Sequence, residues 1–448
     1  MAQGAEKFFR LSERGTNVKT EIRAGIATFL TMAYIIVVNP GILTNAGMPF
    51  EGVLFATVLV CAISSILMGL FANLPFGVAP GMGINAFFTF TLVMGMGISW
   101  QTALGAVFIS GIVFILLSIF KIREIIVRAI PACLRYAVAA GIGLFLALLG
   151  FTSVGFIVAS PATVVTFGGM NAQTIIFLVG LFGTGWLVIK KIKGALIYGI
   201  LGTSIIALIV SLIIKSQGGE PFVNLPSGLF ALPSLSVFFE LDIAGALSLG
   251  MILPIFTLLF TDMFDSISTF IGVSEVGGFI DEKTGEPENV GRALLVDAVS
   301  TTISGLFGTS SGTTYIESAA GVEEGGRTGL TAIVVGLLFI PFMFLSPLLS
   351  FIPGVATAPI LVLVGIFMLK PLQRVDWKDF EEAIPAFLAL VLIPLTMSIT
   401  QGIIWGFLAY TILKVLRGKF KEIHPALWFI DAFAILSLVL SSVGLGEQ

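Results

Sequence analysis

Residues 62–88, AISSILMGLFANLPFGVAPGMGINAFF, and residues 298–326, AVSTTISGLFGTSSGTTYIESAAGVEEGG, decide how this 448-residue chain folds. Their first twelve positions share a register, with Gly69-Leu70-Phe71 matching Gly305-Leu306-Phe307 at an offset of 236. Each match runs into a stretch too rich in Gly, Pro, Ser and Thr for an ordinary lipid-facing helix, at 73–88 and 309–326. Interrupted apolar segments at matching places in two halves of a chain point to a binding site near the bilayer midplane of an inverted-repeat transporter.

Composition agrees with a membrane setting. The chain is 57% hydrophobic and 11% charged, whereas soluble domains carry about 25% charged residues. Its apolar runs approach the roughly 20 residues that a helix needs to span a bilayer. They are too continuous for barrel strands, which alternate over about 10 residues. The spacing predicts spans at 24–44, 53–72, 79–97, 101–120, 136–153, 172–189 and 195–214. A polar, proline-containing linker follows, and then spans at 243–273, 292–308, 312–322, 328–347, 355–370, 382–399 and 402–415. The expected class is therefore an all-α polytopic membrane protein with 14 transmembrane segments in a 7+7 inverted repeat, because seven spans per unit turn the second unit over. The units are 24–214 and 243–417, with 1–23 as a cytoplasmic N-terminus, 215–242 as an extracytoplasmic linker and 418–448 as a C-terminal segment. Within that last segment, 426–441 is a further span or an interfacial helix.

Charge placement orients the chain. With the N-terminus in the cytoplasm, Lys215 is the one exception among 23 Lys and Arg to a cytoplasmic location, as the positive-inside rule requires. The polar first 23 residues and the long apolar run behind them give no reason to expect a cleavable signal peptide. Cys61 and Cys133 lie in or beside apolar segments and read as packing residues. No His/Cys cluster suggests a metal, and no cofactor is expected.

Span 243–273 carries TDMFDSISTF, with Asp262 and Asp265 on one helix face. A charge at the bilayer centre costs roughly 2.5–3.5 kcal/mol on insertion scales. Two such groups without a Lys or Arg in the span suit proton uptake and release. Glu317, two residues after Tyr315, is expected to start a half-helix behind a short extended stretch at 312–316. Asn85 in the first interrupted segment both donates and accepts hydrogen bonds. Phe87 and Phe88 beside it offer flat surfaces for a planar ligand. Thr31 and Tyr34 of the first span are candidates to complete a polar wall. Asp297, near the end of its span, reads as snorkelling or pairing with Arg292. Asp281 and Glu282 read as a solvated loop, and Glu323, Glu324 and Arg327 as a cytoplasmic turn.

The segments PFGVAPGMGINAFF (75–88), TDMFDSISTFIGVSE (261–275) and SSGTTYIESAAGVEEGGRTGL (310–330) resemble signatures of the AzgA-like purine permeases, which transport hypoxanthine, guanine or adenine. That group belongs to the nucleobase–cation symporter-2, or nucleobase–ascorbate transporter, family, and the resemblance runs from about residue 8 to 440. It implies a core domain of spans 1–4 and 8–11 and a gate domain of spans 5–7 and 12–14. Broken segments 3 and 10 would each hold a short strand and a half-helix. It further implies elevator-type import of a purine nucleobase with protons across the cytoplasmic membrane, by a homodimer embedded in lipid, with no nucleic-acid partner. Matched motif by motif, Asp265 is the carboxylate that faces the base and Thr269 a second polar position one turn on. Glu317 hydrogen-bonds the base, and Asn85 is the polar position of the third span. Proton coupling falls to Asp262, Asp265 and Glu317, since no histidine lies in a span. The alternative is an anion transporter or channel of the same architecture, which the acidic site disfavours. Nothing resembles the nucleophile–base pair of an enzyme.

Overall fold

The computed structural model describes residues 2–120, 130–223, 228–280 and 288–442. Lys121, Arg123, Arg128, Asp281, Glu282 and Lys283 lie outside the described residues. Among those described, ten helices are long and apolar enough to cross a membrane, and Met82–Gly95 and Gly329–Phe344 form shorter apolar helices. The first span, Val18–Ala46, is the most deeply enclosed at 78% buried, whereas Ala172–Ile189 is 28% buried and lies on the rim.

A short helix, Ala2–Phe9, comes first, and the first spanning helix begins at Val18, six residues before the expected 24. The Asn17 side chain caps it by accepting from the Thr20 N–H. The early turn is polar because Glu21, fully buried, is used elsewhere in the fold. Its carboxylate accepts from the backbone N–H groups of Arg327 (2.8 Å), Thr328 (3.3 Å) and Thr331 (3.2 Å), and from the Thr331 hydroxyl (2.7 Å). It thereby caps the helix Gly329–Phe339, whose first N–H groups have no intrahelical partner. Stranding buried donors costs about 1–3 kcal/mol each. Glu21→Ala is therefore expected to destabilise the protein by about 3 kcal/mol or more, read as a clear fall in melting temperature of the detergent-purified protein.

Two glycines set how closely that helix approaches the second span. A Cβ on Gly69 would sit 2.3 Å from the Gly329 carbonyl oxygen, and one on Gly329 would sit 2.0 Å from that of Gly69. Asn73 ends the second span in the left-handed region (φ 51°) and accepts from the Gly329 N–H at 2.8 Å. Helix 354–368 packs on 132–153, and 380–395 packs on both 132–153 and 399–416. Separately, 290–307 packs on 100–119, and 329–339 packs on 50–67 and 18–32. The expected span 382–399 is shorter in the structure. Its helix, Phe380–Leu395, stops one residue after Pro394, with Met397 at positive φ before the next helix begins at Ile399.

Among the described residues, four short strands occur: β1 (Val78–Pro80), β2 (Ile157–Ser160), β3 (Val164–Phe167) and β4 (Gly312–Thr314). β2 and β3 form a hairpin, in a loop that the span pattern left unassigned. β1 and β4 come from the two interrupted segments and pair antiparallel, with Val78 opposite Thr314. Those partners differ by 314 − 78 = 236, the repeat offset itself. A two-fold axis relating the repeats therefore runs through this residue pair. Flanking bonds extend the ladder on both sides: Tyr315 N–H to Gly77 O at 3.0 Å, and Gly81 N–H to Ser311 O at 2.9 Å. Equivalent hydroxyls pin each strand. Ser65 accepts from the Val78 N–H at 3.0 Å, and its counterpart Thr301 (65 + 236) donates to the Gly312 carbonyl at 3.1 Å. Cys61 and Cys133 are free and buried.

Candidate functional site

The strand pair fixes where the polar residues meet. Behind β4, the carboxylate of Asp262 accepts from the hydroxyls of Thr301 and Ser311, both at 2.5 Å. Its second oxygen is buried without a hydrogen-bond partner. Asp297 does not pair with Arg292 or snorkel. It is fully buried and accepts from Ser266 and, at 3.1 Å, from Thr314. Ser266 also contacts the Thr313 hydroxyl at 2.7 Å. Hydroxyl groups of the strand and the neighbouring helices thus do what a cation would do for these two carboxylates.

Asp265 differs from both. It is half-buried one turn from Asp262 on the helix Ile252–Gly277. Among the described residues no hydrogen-bond donor or cation meets it, and Glu317 lies close enough to repel it. Thr269, a turn further along the same helix, is buried.

Glu317 stands where the sequence places it, between β4 and the half-helix Ser318–Glu323. It is half-buried, and Tyr34 donates to its Oε1 at 2.6 Å. The Thr31 hydroxyl lies 3.3 Å from its backbone carbonyl, and nearer still to the Thr28 (2.8 Å) and Ala27 (3.1 Å) carbonyls of its own helix. The Tyr315 ring is buried 6.5 Å from that of Tyr34, and its hydroxyl donates to the Pro80 carbonyl at 2.5 Å, tying the second half to β1. Asn85 lies just beyond β1, where Ser310 donates to its side-chain carbonyl. Phe87 and Phe88 are enclosed in the main apolar core with their rings fully buried.

A cavity of about 300 Å³ reaches the site between helix sets. Thr31 and Glu317 line its inner end, Leu196 and Phe367 its far wall, and Lys193 and Glu324 its mouth. Lys193 and Glu324 form an ion pair there, joined by Arg23 at 3.8 Å. The Lys193 ammonium holds the Glu324 carboxyl below the usual range for a carboxylate.

Sequence reasoning missed Asn39. It is fully buried and donates to the hydroxyls of Thr57 (2.6 Å) and Thr309 (2.8 Å), linking the first span to both repeats. The signal was an amide within an otherwise apolar run.

Two interrupted segments paired at a two-fold axis, with buried carboxylates around them and Glu317 lining a cavity, define an inverted-repeat membrane transporter. The fold is shared with the transmembrane domain of a cyanobacterium bicarbonate transporter, BicA. The TM-score is 0.64 at 17% identity, covering 87% of this chain and 97% of that one. Residues 19–405 match the model of the Permease family, and the chain belongs to that family. Among its relatives are the adenine permease AdeP of Escherichia coli and the guanine/hypoxanthine permease PbuO of Bacillus subtilis. AdeP is 41% identical over 97% of this chain and 96% of its own length. PbuO is 41% identical over 96% and 99%. The family comprises transporters rather than enzymes.

Proposed function

We propose that this protein imports purine nucleobases with protons, holding the base between the two interrupted segments. One observation carries the reading: Glu317, half-buried and without a cation among the described residues, lines a cavity and stands three residues beyond the end of β4. The cavity is at the lower end of the roughly 300–1,000 Å³ typical of small-molecule pockets. An ionised Glu317 or Asp265 accepts hydrogen bonds from ring N–H and exocyclic amino groups. The names of AdeP and PbuO point to the same substrate class. Asn85 and Thr269 supply further polar contacts.

Spans 1–4 and 8–11 act as a core that slides in an elevator motion against a gate of spans 5–7 and 12–14, and the protein works as a dimer. The N-terminus faces the cytoplasm, so the cavity opens inward. An anion-transporting role fits less well, because the residues at the inner end are acidic. Labelled hypoxanthine uptake, competed by a panel of nucleobases with and without an uncoupler, tests the reading. Competition by purines and loss with uncoupler support it. Chloride or sulfate flux without nucleobase competition contradicts it.

In this scheme the pair Lys193–Glu324 joins gate to core only when the cavity faces inward. Glu324→Lys is expected to slow uptake severalfold, and the exchanged pair Lys193→Glu with Glu324→Lys to restore most of it. Because the Glu324 carboxyl is held low, the pair keeps its strength above the ordinary carboxylate range and loses it only as pH falls through the lowered value. Acid stimulation of uptake near neutral pH therefore does not arise from this pair.

A further inference from the structure

Tyr34 stands on the turn that separates the helices Val18–Met32 and Ile35–Leu43. Its side chain is 1% exposed, so it presents no surface to the cavity. Its hydroxyl is committed to Glu317 Oε1 at 2.6 Å, while the hydroxyl of Thr31, three residues earlier, lies 3.3 Å from the Glu317 backbone carbonyl. Both contacts come from the break in the first span, and the Tyr34 bond is the one that fixes the Glu317 side chain. Among the described residues no donor reaches Oε2, and Glu317 lines the cavity. The carboxylate thus keeps one oxygen engaged and leaves the other open.

We propose that Tyr34 is a positioning residue that sets purine selectivity by occupying one oxygen of Glu317. The inference rests on the reading that Glu317 meets the base. Guanine carries N1–H and an exocyclic N2–H side by side, a spacing that matches both oxygens of a carboxylate in a bidentate pair. Hypoxanthine presents N1–H alone on that edge. The Tyr34 hydroxyl already draws on Oε1, so a second donor there shares that oxygen's remaining lone pair with it, and guanine gains less over hypoxanthine than a free carboxylate would give it. Removing the hydroxyl frees Oε1, and only guanine has the second donor to use it.

The test is Tyr34→Phe, with binding constants for guanine and hypoxanthine measured on the purified, monodisperse protein. A hydrogen bond to a charged group is worth about 1.5–3 kcal/mol, so the guanine-over-hypoxanthine affinity ratio is expected to rise roughly tenfold. The double variant Tyr34→Phe/Glu317→Gln is expected to lose that gain, because an amide offers one acceptor oxygen. An unchanged ratio, or an equal loss of both bases in Tyr34→Phe, overturns the proposal; if Glu317→Gln alone still abolishes binding, the site reading survives. Unaltered binding of both bases in Glu317→Gln overturns the site reading and this inference together.

Discussion

Glu317→Ala is expected to abolish uptake of labelled hypoxanthine while leaving the amount of protein in the membrane unchanged. The loss follows from what the carboxylate does in the proposed cycle. It is the acceptor that the cavity exposes, and the fold holds it from the first span through Tyr34. Losing one charge-assisted hydrogen bond costs about 1.5–3 kcal/mol, or roughly 10- to 150-fold in affinity. The Tyr34 hydroxyl, left without its acceptor in a buried place, further disorders the site. Membrane abundance holds because Glu317 supports little of the fold: its side chain makes no capping bond to the six-residue helix that follows. Uptake at the wild-type rate in quantified membranes would remove Glu317 from the site.

Asp265→Asn is expected to have the second largest effect, and a different one. Asp262 and Asp297 each receive two hydroxyl donors, which favour a fixed charge state in a closed network. Asp265 receives none among the described residues and is partly open. A carboxylate so placed can take a proton from solution and return it without dismantling the strand pair. Asn keeps the shape and an acceptor oxygen but cannot change charge. The variant should therefore fail to accumulate hypoxanthine under an imposed proton gradient yet still exchange it in counterflow. Asp262→Asn, which retains an acceptor for Thr301 and Ser311, should keep gradient-driven uptake at a reduced rate. The opposite pattern would assign the proton to Asp262.

The fold was legible where the physics is local. Apolar runs long enough to span, and the polar interruptions at the repeat offset of 236, located the two broken segments and the half-helix behind Glu317, whereas the pairing of β1 with β4 joins residues 236 apart and left no local signal. Carboxylates in apolar runs are expensive, so Asp262, Asp265 and Glu317 stood out. Asp297 was misread because its partners, Ser266 and Thr314, are distant in sequence, whereas Arg292 lay nearby and offered a bland explanation. Glu21 went unnoticed for a related reason. In a polar N-terminal stretch an acid looks solvated, and only the packing of the helix that starts at Gly329 buries it. Tyr34 was expected on a polar wall, but no local pattern shows that its hydroxyl is committed to a carboxylate 283 residues away. Among 40 phenylalanines, Phe87 and Phe88 could not be told from packing residues by sequence, and the structure encloses both rings in the core. The hairpin of β2 and β3 did leave a signal, since IVAS and VVTF are rich in β-branched residues and flank a proline turn.

The most direct measurement is an experimental structure of the purified protein with hypoxanthine bound. The account predicts the base between the ends of β1 and β4, with a ring N–H within hydrogen-bond distance of Glu317 Oε2 and Asp265 beside it. A base bound elsewhere, with Glu317 still held by Tyr34 and no ligand against it, would contradict the account.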